Sequence, residues 1–254
     1  MKQSLLTHPL VTAVSDGYYA AFQSATKRTG REVEWTRELN SDEKYAQRLF
    51  SSVPAVIDNL NQIRQAGLFL SGFRTTKRLK EHEITRLDHI VYHVENFFLR
   101  TTGCLDRCLV LVNDALDLGL QPEDCTHRLI RTISHVKRSP VQGVLGEINA
   151  IVKPYRNQRN LIAHRARHTD DELDDVILFD LVVRIEPTDE ARYHHYKLRS
   201  DRYVAAKQEE IDQVADKLTT ACSHLFDKLK PDVDRHLSAL KPAVEPAAAG
   251  RPKA

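Results

Sequence analysis

Between Lys153 and His168 the chain reads Lys-Pro-Tyr-Arg-Asn-Gln-Arg-Asn-Leu-Ile-Ala-His-Arg-Ala-Arg-His, and these residue types can carry acid–base and phosphate chemistry. An imidazole takes or gives a proton near neutral pH, and a guanidinium grips phosphate oxygens with a planar fork of donors. No acidic residue occurs from Ile148 to His168, whereas Lys153, Arg156, Arg159, Arg165 and Arg167 surround the two histidines with fixed positive charge. Such a segment attracts phosphate.

Residues three and four apart share a helix face, so the spacing predicts two stripes. Ile148, Val152, Tyr155, Arg159, Ile162 and Ala166 follow a core-facing one; Arg156, Asn160, His164 and Arg167 or His168 follow a polar one. Arg159 is the odd member of the apolar stripe, and a guanidinium there calls for an ion pair, a subunit contact or a phosphate. Five positions separate Arg159 from His164, about 140° around a regular helix, so the two need not point at one atom. Convergence requires the arginine's reach, a distortion near Pro154, or a second subunit.

Arg159-Asn160-Leu161-Ile162-Ala163-His164 resembles the Arg-polar-x(3 to 5)-His motif of HEPN domains, many of which are ribonucleases of toxin, antiphage and RNA-processing systems. Arg86 to His93 and Arg128 to His135 match a bare arginine–histidine spacing, but leucine follows the arginine in both. The resemblance spans residues 80–240 and implies an all-α, HEPN-like up-and-down bundle with long central helices. It also implies a homodimer in which two copies of the motif face one cleft. In one branch of the family a tyrosine two residues after the histidine is the target of an inactivating nucleotidyltransferase; here that position is Ala166. Control of that kind, and membership of that toxin pair, is therefore not expected.

The elements that must position these residues follow from sparse turn chemistry. Nine glycines and ten prolines in 254 residues leave few places to turn. A helix is expected over about 41–66, begun by Ser41-Asp42-Glu43-Lys44 and bent at Pro54. The longest run, about Glu81 to Leu118, carries one stripe of Ile84, Leu87, Val91, Val94, Phe98, Leu105, Leu109, Val112 and Leu116, and a second of Ile90, Phe97, Cys104, Cys108 and Leu111. Two apolar sides mark a central helix, ended at Gly119. Shorter segments near Pro122 to Val136 and Pro140 to His168 lead through the basic block, with Pro154 kinking the second or starting a new helix. Val176 to Ile185 has strand-like composition, yet Thr169 to Glu172 fits a capping box and Leu173, Val176, Ile177, Leu181 and Ile185 recur at helical spacing. A last helix is expected from Asp201 to Leu240, broken at Pro231. Arg31 to Trp35 reads either as a short strand or as an extended linker. The resulting organisation is an N-terminal helical region (1–79), the bundle (80–240) and a disordered Pro/Ala-rich tail (241–254).

Composition narrows the function. A net charge of +2, with 41% hydrophobic and 28% charged residues, fits an ordinary globular protein and requires any phosphate attraction to be local. Cys104, Cys108, Cys125 and Cys222 form no secretory framework, and no export or membrane-spanning segment is evident, so a cytoplasmic location is expected. His89/His93 and Cys104/Cys108 each lie one helical turn apart, but two ligands are not a site, and neither a metal nor another cofactor is expected. His194 and His195, with Tyr193 and Tyr196, are read as a solvated polar connector rather than an RNA-stacking surface. Phosphate-cradling loop, dinucleotide fingerprint and nucleophile elbow are all lacking.

Two functions follow from different classes. In the first, the chain is a metal-independent endoribonuclease: His164 is the general acid or base, Arg159 stabilises the scissile phosphate, Asn160 orients one of them, and Arg156, Arg165, Arg167 and His168 contact flanking RNA. An antitoxin or defence-system protein would be a further partner. In the second, the same segment belongs to a non-catalytic RNA-, nucleotide- or protein-binding module, with Arg159 paired to Glu95 or Glu147.

Overall fold

Scarce glycine and long apolar repeats produce a chain whose regular elements are all helical among the described residues. The computed structural model describes residues 5–30, 38–164, 167–186, 188–238 and 240. The α-helices are α1 (Pro9–Thr29), α2 (Ser41–Leu70), α3 (Lys77–Glu81), α4 (Arg86–Ala115), α5 (His127–Ile130), α6 (Ser134–Lys137), α7 (Val141–Val152), α8 (Arg156–His164), α9 (Asp171–Ile185) and α10 (Glu190–Ser238). The Arg31–Trp35 segment and the 241–254 tail lie outside the described residues.

Local chemistry sets the helix starts. Asn40 Oδ1 accepts the Glu43 N–H and Glu43 Oε2 accepts the Asn40 N–H, each at 2.9 Å, a reciprocal cap one residue before the expected Ser41 start. Thr85 and Asp88 cap α4 in the same way, with the Thr85 N–H 2.9 Å from Asp88 Oδ2 and the Asp88 N–H 3.2 Å from Thr85 Oγ1. The helix expected from Glu81 therefore begins only at Arg86, after the short α3 has ended at Glu81. α9 is helix as its spacing predicts, but Asp170 rather than Thr169 is the cap, accepting the Leu173 N–H at 2.8 Å. Only Leu173 and Val176 of its apolar stripe are buried; Leu181 and Ile185 face solvent because the buried face continues through Asp180.

Two further expectations are corrected. α10 begins at Glu190, not Asp201, because Asp189 Oδ1 caps it through the Arg192 N–H at 3.0 Å. His194 and His195 are thus helical rather than part of a turn. Pro231 does not break α10; buried Leu229, Val233 and Leu237 hold the helix through a residue that removes one of its hydrogen bonds.

Contacts divide the chain into two units: 1–55 with 109–142 and 223–254, and 56–108 with 143–222. In the first unit, Tyr45 donates to the Ala115 carbonyl at 2.9 Å, and Gly17 lets α1 approach Leu237, whose Cδ1 would lie 2.7 Å from an added Cβ. Buried Glu43 accepts from Arg28 at 2.7 Å and Ser24 at 3.1 Å.

The second unit holds the basic segment. Both predicted stripes of α4 are buried except Ile84, which precedes the helix and is 42% exposed. Fully buried Phe97 and nearly buried Phe98 receive the ring of Tyr155, at 5.3 and 5.9 Å between centroids. This aromatic cluster fixes the start of α8 against α4; burying each phenylalanine contributes about 1.5–3 kcal/mol.

Candidate functional site

Pro154 marks the break that the sequence suggests. α7 ends at Val152, Lys153–Tyr155 form one tight 3-10 turn, and α8 resumes at Arg156. Proline suits this turn because its missing N–H falls where a new helix has no internal acceptor. Tyr155 anchors the junction. Burial, and then the Glu210 carboxylate, push its hydroxyl above the usual phenol range, so it remains a neutral donor.

α8 distributes the motif over two surroundings. Arg159, half-buried, donates from Nη1 to Asn160 Oδ1 at 3.1 Å. Arg156 donates from Nη2 to Asn149 Oδ1 at 2.6 Å. Both guanidiniums act electrostatically on Asp106 of α4. Burial raises the Asp106 carboxyl above the ordinary aspartate range, and Arg159, Arg156 and Arg107 hold that rise back. Asp106 as a residue is exposed.

His164 is exposed and lies elsewhere. With Ile162 and Arg167 it lines a cavity of about 630 Å³ whose other wall is Asp88, Val91, Tyr92 and Glu95 of α4. Burial would raise the Asp88 carboxyl, but hydrogen bonds from Thr85 and the charges of Arg184 and Arg167 bring it below its ordinary value. The cavity thus holds an anion next to Arg167, with exposed Tyr92 as an aromatic wall. Arg159 is not among the described residues lining this cavity.

His168 is 2% exposed. Its ring Nε2 is 3.1 Å from Asp170 Oδ2, its backbone N–H donates to Glu95 Oε1 at 2.9 Å, and its ring packs 4.6 Å from Phe98. These contacts tie the residues after α8 to α4 and to the α9 cap. Glu95, one of the two partners considered for Arg159, thereby accepts from His168. Arg165 and Ala166 lie outside the described residues.

The structure therefore brings Arg156, Arg159 and Asn160 into one neighbourhood and His164 with Arg167 into another. Sequence reasoning missed Asp106, Asp88 and Tyr92. Asp106 stands in α4 between buried Leu105 and Cys108, and no spacing rule links it to residues some fifty positions later.

No curated protein and no solved structure matches the chain. A family model described as Cthe2314-like HEPN matches residues 39–230. The match begins well before the resemblance read from 80–240, taking in α2, and ends at 230 within α10, ten residues before the end of that resemblance. A match over most of the chain, with the Arg159–His164 motif inside an all-helical fold, makes this chain a member of the HEPN family.

Proposed function

We propose that the protein is a metal-independent endoribonuclease. The observation that carries this reading is the exposed imidazole of His164 on a cavity shared with Arg167 and Tyr92, on the helix that also bears Arg159 and Asn160. His164 takes the proton of a ribose 2′-hydroxyl, the 2′-oxygen attacks the neighbouring phosphorus, and the bond to the 5′-oxygen breaks as that oxygen takes a proton from water. The products are a 2′,3′-cyclic phosphate and a 5′-hydroxyl. Arg159 stabilises the charge developing on the phosphoryl oxygens, and Asn160, which accepts from it, sets its direction.

Arg156, Arg165 and Arg167 contact flanking phosphates, while His168 positions the connection to α9. Arg159 and His164 have different neighbours within one chain, which favours a homodimer whose second copy completes each site. This activity suits a toxin or antiphage defence component held in check by a partner protein.

The second reading, a module that binds RNA without cutting it, draws on Asp106: a carboxylate beside Arg159 occupies some of the positive potential a transition-state phosphate needs. Incubating purified protein with RNA in EDTA distinguishes the two. Cleavage leaving cyclic phosphate ends supports the nuclease, and binding without cleavage replaces it with the module.

A further inference from the structure

Cys104 and Cys108 lie one turn apart on α4, and in sequence they amount to half a site. The fold adds a third thiol from α10. Cys222 Sγ is 3.9 Å from Cys104 Sγ and 3.7 Å from Cys108 Sγ, and all three sulfurs lie within 4.8 Å of one another. Each residue is 0% exposed and none is in a disulfide. Among the described residues this is the one group of three side chains able to share a metal ion.

Metal–sulfur bonds of about 2.3 Å set the donors of a trigonal site about 4.0 Å apart and those of a tetrahedral site about 3.8 Å apart. The separations of Cys222 from Cys104 and Cys108 match either geometry, and the Cys104–Cys108 pair lies within 4.8 Å. The donor set separates the candidates. Three sulfurs with no oxygen or nitrogen donor exclude hard cations, whereas structural zinc is almost always four-coordinate and Fe–S clusters take four cysteines. Soft monovalent copper accepts thiolates alone.

We propose that Cys104, Cys108 and Cys222 form a buried three-coordinate thiolate site for Cu⁺. Each thiol that binds releases its proton to solvent, with no change in the oxidation state of copper or sulfur. The loaded cluster is anionic, and Arg107, which acts electrostatically on Cys104, offsets part of that charge. Because the sulfurs are closed off from water, the ion enters during folding or through an opening of the helices, and its retention stabilises the folded chain. This site is independent of the ribonuclease reading.

The test uses full-length protein under strict exclusion of oxygen, with Cu⁺ added in acetonitrile both to native protein and during refolding from denaturant. About one equivalent should remain after competition with bicinchoninate, with thiolate-to-copper charge-transfer absorption in the ultraviolet and a melting temperature raised by several degrees. Cys222→Ser and Cys108→Ser should each weaken retention by more than the roughly 10–100-fold of an outer-shell change, and Cys125→Ser should not. If one of the first two variants misfolds, the other and the wild-type stoichiometry decide. Failure to retain copper by either route, or equal retention by Cys222→Ser, would show that the sulfurs only pack as small apolar groups. Retention of Zn²⁺ in preference to Cu⁺ would overturn the three-coordinate assignment.

Discussion

Arg159 Nη1 donates to Asn160 Oδ1 at 3.1 Å, so the two polar members of the motif's first half hold each other rather than reaching His164. The guanidinium is felt by Asp106, and the imidazole opens on a cavity with Arg167. Any catalytic reading must account for this division of labour along one short helix.

His164→Ala should lower RNA cleavage by about 100-fold or more, the scale of losing a positioned general acid or base. Arg159→Ala should cost a comparable factor through transition-state stabilisation. Arg159→Lys keeps the charge but loses the planar fork, and should recover little. Sedimentation and melting measured alongside identify any variant that acts by unfolding or by parting a dimer. Equal cleavage by wild type and a folded His164→Ala protein would remove the histidine from the mechanism.

Asp106→Asn should tighten RNA binding. Removing a carboxylate near Arg156 and Arg159 frees positive potential worth roughly 0.2–1 kcal/mol, or about 1.5- to 5-fold in Kd. Fluorescence anisotropy at low salt reads this directly, and the gain should shrink as salt rises. Weaker binding by Asp106→Asn would mean that the carboxylate orders the arginines instead of competing with RNA.

Burial, reinforced by the nearby His89, lowers the His93 pKa to about 4. An unfolded histidine titrates near 6.5. As pH falls from 6.5 toward 4, the unfolded chain takes up a proton that the folded chain refuses, so stability drops across that window. Below about 4 both states are protonated and this loss stops growing. Urea midpoints at pH 7.5 and 5 should therefore differ more for wild type than for His93→Gln. A His93 ring titrating near 6.5 by NMR would refute the assignment.

Asp170 caps α9, accepts from the hydroxyl of Tyr203 at 3.2 Å, and lies 3.5 Å from Lys207. Burial would raise its carboxyl, but the Leu173 N–H, Lys207 and His168 outweigh that and lower it. Its stabilisation is present above the unfolded aspartate value and is lost as pH falls through the depressed folded value. Asp170→Ala should cost at least about 1 kcal/mol at neutral pH, from the cap alone. Chemical denaturation measures this, and a change below a few tenths would show that water replaces the cap.

Much of the architecture is legible because helical burial repeats along the chain. Leu87, Val91, Val94 and Phe98, with Ile90 and Phe97, announce the central helix by spacing alone, and the family match agrees with the resemblance to HEPN domains. The start of α10 is less legible. Glu190 to Ser200 is polar by composition, and its helix depends on the Asp189 cap and on burial of Tyr196, whose neighbour Asp180 belongs to α9. Pro231 misleads for a similar reason: a local penalty of about 3 kcal/mol is small beside the packing of the apolar residues around it.

By itself, then, the sequence determined the helical class, the identity of the basic segment and the break at Pro154, since periodicity, charge and proline geometry are properties of neighbouring residues. Only tertiary structure decided that His164 faces Asp88 and Tyr92, that Asp106 comes near Arg159, and that Cys222 joins Cys104 and Cys108. Those relations join residues remote along the chain, and local rules carry no term for how two helices are rotated about their own axes when they pack.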